Sequence, residues 1–196
     1  MSDRQAPIVL PEPSASPAGF PLEDGGLRLR AAGPGDAERL CGWWNDGSVM
    51  AHAGFPDGLG TTPAAVAAGL ARDSDETGRR LILEEDGVPI GEMNYRFPAP
   101  GTAEIGIKIC TPARREHGLG SRALRLLIDW LFRVREADRV ILDTNLMNSR
   151  AQHVYEKIGF ERLGVRIDAW RDQHGVLQSS VDYAMTREAW REHKCP

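Results

Sequence analysis

The segment from Arg115 to Gly120 has the residue types and the placement of an anion-binding loop, reading Arg-Glu-His-Gly-Leu-Gly. It follows an apolar, strand-like stretch and directly precedes an amphipathic helix. The first N–H groups of such a helix have no partner within it, and the helix dipole is positive at this end. Gly118 and Gly120 let the main chain approach a ligand without a Cβ in the way. The segment predicts a phosphate or pyrophosphate site; the alternative is a turn that needs glycine for its geometry alone.

The loop belongs to neither of the two common phosphate-binding types. The dinucleotide fingerprint needs the spacing G-x-G-x-x-G, and the P-loop needs Lys and then Ser or Thr after its last glycine. Here Gly120 is followed by Ser121 and Arg122. The prediction is therefore an anion site of a different kind.

Hydrophobic periodicity predicts the elements that carry this loop. We expect strands at residues 27–30, 80–83, 88–95, 103–110 and 139–143, with two more on either side of His174-Gly175. We expect helices from Asp36 to Trp44, from Thr62-Pro63 through Leu70, from the loop to Val134, from Asn148 to Ile158, and from Arg187. This order predicts a mixed α/β sheet.

Capping residues and one apolar stripe support the helices. Asp36 and Asn148 are expected to cap helix N-termini, and Thr62 does so before a proline in the first turn. Pro98 and Pro100 are expected to break the chain after the third strand. The helix that follows the loop buries residues spaced i, i+3, i+4 and i+7, namely Leu124, Leu127, Ile128 and Leu131.

Length and charge restrict the class of protein. A chain of 196 residues with a net charge of −4 is expected to form one domain that does not bind nucleic acid. No apolar stretch approaches the roughly 18 residues that span a bilayer. The first residues lack a secretory signal pattern. Three widely spaced cysteines, Cys41, Cys110 and Cys195, indicate reduced thiols in a cytoplasm. Residues 1–26 are proline-rich and are expected to form a mostly irregular extension before a domain at 27–196.

Two motifs together resemble one enzyme family. The residues from Asn148 to Phe160 read Asn-Ser-Arg-Ala-Gln-His-Val-Tyr-Glu-Lys-Ile-Gly-Phe. They resemble the Asn-x-Arg-Ala…Tyr-Glu-Lys-x-Gly-Phe motif of the GNAT superfamily of acyl-CoA-dependent N-acetyltransferases. The pattern Arg115-x-x-Gly118-x-Gly120 is similar to the pyrophosphate motif of that superfamily. A helix and a strand separate the two motifs, as the family arrangement requires.

The resemblance extends over roughly residues 27–187. Pro112 stands at the usual position before the pyrophosphate motif. The sequence Trp-Trp-Asn-Asp at 43–46 is similar to the branch that contains ribosomal-protein N-acetyltransferases and some aminoglycoside 6′-N-acetyltransferases. The implied fold is α/β, with a mixed, mostly antiparallel central sheet flanked by helices and with splayed parallel fourth and fifth strands.

The resemblance also implies acetyl-CoA as the cofactor, with its pantetheine arm between the splayed strands. Main-chain groups of the fourth strand would bind the pantetheine, and the loop amides would bind the pyrophosphate. Asn148 would reach the pantetheine or the substrate side. The implied cofactor-binding residues are Lys108, Ile109, Cys110, Arg115, Glu116, His117, Gly118, Leu119, Gly120, Ser121 and Asn148.

Acetyl transfer to an amine needs a neutral amine and a proton for the leaving thiolate. Tyr155 stands at the family position of the general acid, and the alternative is a ring that only fills the core. Asp143 ends a predicted strand and is the better candidate for the base, because ligands bind at the carboxyl ends of strands. The alternative for Asp143 is a loop cap. Glu104 is the second base candidate, although the residue alternation does not fix its face.

The acceptor side is less clearly marked. Glu92 and Asn94 share a strand face and could line the acceptor pocket, with a solvent-facing polar stripe as the alternative. Trp43 and Trp44 could wall this pocket or lie in the core. The histidines show no metal spacing, so no metal site is predicted. Acidic residues suited to a cationic amine cluster in the acceptor segment, namely Asp46, Asp57, Asp73, Asp75 and Glu76.

These observations predict an N-acetyltransferase that moves acetyl directly to a primary amine of a small molecule or of a protein N-terminus. Antibiotic resistance is one role that such an activity would serve. Two alternatives remain open. One is transfer of a longer acyl group, for example to a siderophore hydroxylamine, and the other is a non-catalytic acyl-CoA sensor. The sequence also leaves a homodimer open.

Overall fold

An eight-stranded sheet organises residues 19–115 and 117–194, the part of the chain that the computed structural model describes. The order across the sheet is β1-β2-β3-β4-β5-β6-β8-β7. Neighbouring strands are antiparallel except for β5 and β6, which are parallel. The strands are β1 (Leu22–Asp24), β2 (Leu27–Ala31), β3 (Gly78–Glu85), β4 (Val88–Ala99), β5 (Thr102–Ile109), β6 (Arg139–Asn145), β7 (Glu161–Arg171) and β8 (Leu177–Thr186).

Helices cover both faces of this sheet. They are α1 (Ala37–Trp44), α2 (Gly47–Met50), α3 (Pro63–Leu70), α4 (Leu119–Arg133), α5 (Ser149–Lys157) and α6 (Arg187–Lys194). Short 3₁₀ turns lie at Pro34–Asp36, Ala51–Ala53 and Pro112–Arg114. Along residues 19–115 and 117–194, no helix combines the length and the apolar character needed to cross a membrane.

The main core lies between the sheet and helices α4, α5 and α6, on what we call the α4 face. The predicted apolar stripe of α4 is fully buried there, from Leu124 to Leu131. A smaller core joins α1 and α3 to Ile82 of β3 on the opposite face, called the α1 face. Because side chains alternate along a strand, each strand sends alternate residues to the two faces.

Two of the predicted caps are confirmed and one is corrected. Thr62 accepts a hydrogen bond from the Ala65 amide, and Asn148 accepts one from the Ala151 amide. Asp36 stands at the N-cap position of α1, but its carboxylate does not cap that helix. It binds the Arg30 guanidinium instead, at 2.8 Å. A charged partner from β2 therefore replaces the local contact that the sequence suggested.

The chain becomes regular earlier, and stays regular longer, than predicted. Strand β1 lies inside the segment expected to be irregular, and it pairs with β2. Residues 1–18 of that segment lie outside the described residues. Strand β4 continues through Pro98 to Ala99 instead of breaking there. The pairing with β5 is interrupted between Arg96 and Ala99, so Pro98 need not donate a ladder hydrogen bond.

The sheet splits between its two parallel strands. Residues Thr102–Glu104 of β5 pair with Arg139–Ile141 of β6, and no pairing of the described strands continues beyond them. β5 runs on to Ile109 and β6 to Asn145. The two strands therefore leave an open wedge, as expected for the fourth and fifth strands of the predicted order. The extra strand β1 makes them the fifth and sixth.

Candidate active site

The loop at 115–120 leads directly into helix α4, as its sequence predicts. Gly118 is the N-cap of α4, with a positive φ of 74° and no side chain that could cap the helix. A Cβ at Gly118 would meet no atom within 4 Å, so the surface above it is open. Among the described residues, the amides of Leu119 and Ser121 have no acceptor. A helix start of this kind presents free N–H groups to an anion.

Amides without intrahelical partners occur at every helix start, so a site for the diphosphate of coenzyme A at this loop stays a prediction. Arg115 lies beside the loop and donates from Nε to the Ile109 carbonyl at 3.1 Å, which ties the loop to the end of β5. Exposed His117 adjoins the same loop. Glu116, also expected to bind the cofactor, lies outside the described residues.

Strand register decides which main-chain groups face the wedge. The Cys110 amide donates to the Ile90 carbonyl at 2.9 Å, so residues 110 and 90 form a hydrogen-bonded pair. Such pairs alternate along an antiparallel ladder, so Lys108 is also bonded toward β4. The main-chain groups of Ile107 and Ile109 then point to the wedge side. The expectation for Lys108 and Cys110 is corrected by this register, and Ile107 was missed.

Tyr155 projects from α5 into the core of the α4 face. Its ring is 6% exposed and lies 5.6 Å from the Tyr183 ring and 6.0 Å from the Phe160 ring. Burial raises the pKa of Tyr155, and the charges of Asp143 and Tyr183 raise it further. Within the part of the chain that the structure describes, its hydroxyl has no hydrogen-bond partner. The ring is thus part of the core, and its phenol is protonated and unpaired.

Asp143 projects from β6 on the opposite, α1 face. The prediction that Asp143 ends its strand is wrong, because β6 continues to Asn145. Its carboxylate is 3.1 Å from Arg166 of β7, whose closer contact is to Asp182 at 2.7 Å. The side chain of Asp143 is 48% exposed. Asp143 is therefore reachable from solvent, and it is close enough to Tyr155 to influence the pKa of that phenol.

Glu104, the other base candidate, is held across the β4–β5 pair. Its carboxylate binds Arg96 at 2.6 Å, and this contact raises the pKa of Arg96. The charge of Asp143 contributes to the same shift, so Arg96 lies near both carboxylates. The wedge is thus bordered on the α1 face by a mixed cluster of charges. Its members are Arg96, Glu104, Asp143, Arg166 and Asp182.

Glu92 is buried, which overturns the solvent-facing alternative. It is 2% exposed, and its Oε1 accepts from Trp44 Nε1 at 2.8 Å and from Lys108 Nζ at 3.0 Å. This contact ties the end of α1 to β4 and β5. Asn94 lies on the same face over Gly106, where an added Cβ would come within 2.8 Å of its Nδ2. The two residues share a face, as predicted, but only Glu92 is closed off from solvent.

Trp43, Cys110 and the acidic residues have more ordinary surroundings. Trp43 packs partly against the core of the α1 face and contacts Arg39. Burial, then the charge of Glu92, raises the pKa of the Cys110 thiol to about 12, so this thiol is not a reactive nucleophile. The five acidic residues do not form one patch. Asp46 caps α2, Asp57 binds His174, Asp73 binds Arg80, Asp75 binds Arg79, and Glu76 lies beside Phe97.

The loop at 115–120 follows β5, and Asn148 is the N-cap of α5 after β6. Asp143 lies beyond the last β6 residue that pairs with β5, and its charge raises the pKa of Tyr155. Sequence reasoning missed Arg96, Arg166 and Asp182, because they reach the site by cross-strand pairing that leaves no local pattern. It also missed the contacts of the β7–β8 hairpin with residues 54–59.

Comparisons with known proteins agree with this geometry. The acetyltransferase (GNAT) domain family matches residues 26–161. A kanamycin resistance protein of Rhizobium radiobacter is 35% identical over 86 residues, which are 44% of this chain and 75% of that protein. The spermidine N(1)-acetyltransferase of Escherichia coli K12 is 33% identical over 91 residues, which span 44% of this chain and 47% of that enzyme.

A solved structure supports the fold over most of the chain. An aminoglycoside acetyltransferase in complex with coenzyme A superposes with a TM-score of 0.68 and 25% identity. The superposition covers 85% of this chain and 98% of that one.

Proposed function

The chain belongs to the GNAT acetyltransferase family and uses acetyl-CoA, and we propose that it acetylates a primary amine of a small cationic molecule of the aminoglycoside or polyamine type. The placement of Tyr155 and Asp143 on opposite sides of one wedge carries this proposal. The similarity to a kanamycin resistance protein and to a spermidine acetyltransferase supports the choice of amine class.

Each residue of the wedge has a task in this reaction. When bound, acetyl-CoA supplies an acetyl group activated as a thioester. The amides at the start of α4 would hold its diphosphate, and the main chain of Ile107 and Ile109 would bind its arm. Asp143 accepts a proton from the incoming ammonium, directly or through a water molecule. Tyr155 donates its proton to the departing sulfur.

Direct transfer follows from the state of the thiols. Cys110 is buried and its pKa is raised, so a covalent acyl-cysteine relay has no suitable nucleophile at this position.

The carboxylates Glu104, Asp143 and Asp182 outnumber the arginines Arg96 and Arg166 on the α1 face. A cationic amine that approaches from this face would be attracted to the cluster.

Release of free thiol from acetyl-CoA tests the function. We expect turnover with aminoglycosides or polyamines in a panel that also contains a peptide with a free N-terminus and a hydroxylamine. Preference for the peptide would contradict the small-molecule proposal. Turnover only with longer acyl-CoA, or coenzyme A binding without turnover on any amine, would favour one of the two alternative functions.

Asp143→Asn is expected to separate the two base candidates. It should lower kcat/KM for the amine by about 100-fold, the usual contribution of a general base. Glu104→Gln is the matched control, because Glu104 is already bound to Arg96 at 2.6 Å. A loss of about 100-fold in Glu104→Gln with wild-type kcat/KM in Asp143→Asn would reverse the assignment.

A further inference from the structure

The β7–β8 hairpin reaches across to the loop that follows α2. Its tip begins at Asp172, which is the first residue after β7. Asp172 Oδ1 accepts from the amides of His174 and Val176 at 2.9 Å, and its Oδ2 accepts from Gln178. These contacts hold the tip in one conformation, so its remaining polar groups are presented outward as a fixed set.

Gln173 binds residues 54–59 through its main-chain amide and both polar atoms of its side chain. Its amide donates to the Gly54 carbonyl at 2.8 Å. Its side-chain Oε1 accepts from the Asp57 amide at 3.1 Å, and its Nε2 donates to the Gly58 carbonyl at 3.1 Å. The neighbouring His174 binds the Asp57 carboxylate at 2.6 Å. We call this set of contacts the hairpin clasp.

Trp170 completes the clasp at its inner side. Its indole donates to the buried Ser180 hydroxyl at 3.0 Å and lies flush against Gly54. A Cβ at Gly54 would come within 2.5 Å of the Trp170 ring, and Gly54 itself has a φ of +94°. Only glycine fits there without strain or displacement of the indole. The close approach therefore depends on both residues.

Residues 54–59 also connect to the wall of the proposed acceptor cleft. The Leu59 amide donates to the Trp44 carbonyl at 2.7 Å. Asn45 exchanges hydrogen bonds with the main chain of Thr61. Trp44 in turn binds buried Glu92. The adjoining turn Ala51–Ala53 packs on β6, the strand that carries Asp143. The clasp thus joins the hairpin, the end of α1 and the α1 face of the sheet.

We propose that Gln173 is a positioning residue for the amine, because through the hairpin clasp it holds residues 54–59 against the wall of the acceptor cleft at Trp44 and so sets the KM for the amine. The inference rests on the proposed function, which places the acceptor on the α1 face. Gln173 takes no part in the proton transfers proposed for Asp143 and Tyr155.

Gln173→Ala tests the proposal, with Val176→Ala on the same hairpin tip as the control. Val176 is 55% exposed. Loss of the two side-chain hydrogen bonds should raise the amine KM about tenfold. The KM for acetyl-CoA should change less than about twofold, and hydrogen exchange of the Asp57 amide should become faster.

An unchanged amine KM in Gln173→Ala would overturn the proposal, whether or not the Asp57 amide exchanges faster. An equal change in Val176→Ala would do the same. A wild-type protein that releases no thiol with any amine would instead contradict the proposed function. The amine Kd from calorimetry then replaces the KM in this comparison, so the two failures remain distinguishable.

The pH dependence of His174→Gln gives a second readout. The hydrogen bond with Asp57 raises the pKa of His174, with a smaller contribution from Asp172. Arg171 lies at the same tip and donates to the Gly175 carbonyl. A raised histidine pKa means that the ion pair is complete at acidic pH and is lost as the pH rises through that pKa. The amine KM of the variant should exceed that of wild type about two- to fivefold near pH 6 and match it near pH 9. A constant ratio would contradict a contribution of His174 to the clasp.

Discussion

Tyr155→Phe should lower kcat by about 100-fold or more, the range expected when a general acid is removed, while the KM for acetyl-CoA stays nearly constant. The substitution removes one hydroxyl, and within the described chain that hydroxyl has no hydrogen bond to lose. Steady-state kinetics together with a thermal melt will separate the catalytic effect from any effect on the core. We expect the melting temperature to change little.

Burial makes Tyr155 suited to donate a proton. Its pKa is raised by burial first and then by Asp143 and Tyr183, so the phenol stays protonated through neutral and moderately alkaline pH. The fall of the wild-type rate at high pH, if one is observed below about pH 10, must then belong to another group. The same argument excludes Tyr155 as the base.

Tyr183→Phe is the matched control for this prediction. The two rings are 5.6 Å apart. The Tyr183 hydroxyl donates its proton to Glu156 at 3.0 Å, so it is not assigned the role of general acid. We expect this control to cost stability through one lost hydrogen bond, about 1 kcal/mol, and to keep its kcat. If both variants keep the wild-type kcat, Tyr155 is a core residue only.

Gly118→Asp should weaken coenzyme A binding more than any other single change at the loop. Aspartate tolerates the positive φ of 74° better than most residues, and the space around a Cβ here is open, so the fold should persist. Its carboxylate would face the diphosphate. We expect the Kd to rise on the order of 100-fold at low salt, from repulsion between close like charges at an effective dielectric near 20.

Gly118→Asn isolates the charge from the added bulk. Asparagine has nearly the same shape and also tolerates a left-handed conformation. Its Kd should rise less, and the gap between the two variants should narrow as salt screens the repulsion. Calorimetry at two salt concentrations measures this gap. Equal Kd values for the two variants would show that the diphosphate does not bind at the start of α4.

Local patterns in the sequence were sufficient for most of the elements. The stripe from Leu124 to Leu131 predicted the buried side of α4, because helical periodicity needs no distant partner. The caps at Thr62 and Asn148 were confirmed for the same reason. The strand break predicted at Pro98 was wrong, because a proline is tolerated in a strand where the pairing is already interrupted.

The site was predictable only in part. The loop glycines and the motif residues were identified by spacing, and they lie at the starts of α4 and α5, the helices that follow β5 and β6. The hydrogen-bond partners of Glu92 and Asp36 were not predicted. Trp44 and Arg30 come from other elements, and only the tertiary fold brings them into contact with these carboxylates. The choice between Lys108 and Ile107 as wedge-facing main chain depends on strand register, which one strand alone cannot reveal.

The short pairing between β5 and β6 divides the sheet into two half-sheets, β1–β5 and β6–β8, linked by three residue pairs. A long ligand that lies along the split touches both halves and acts as a bridge between them. Its binding free energy then adds to the stability of the folded chain, by about 2.7 kcal/mol at 100 times its Kd. The melting temperature of this enzyme should therefore rise with the concentration of acetyl-CoA, since the two half-sheets would separate less readily with the bridge in place.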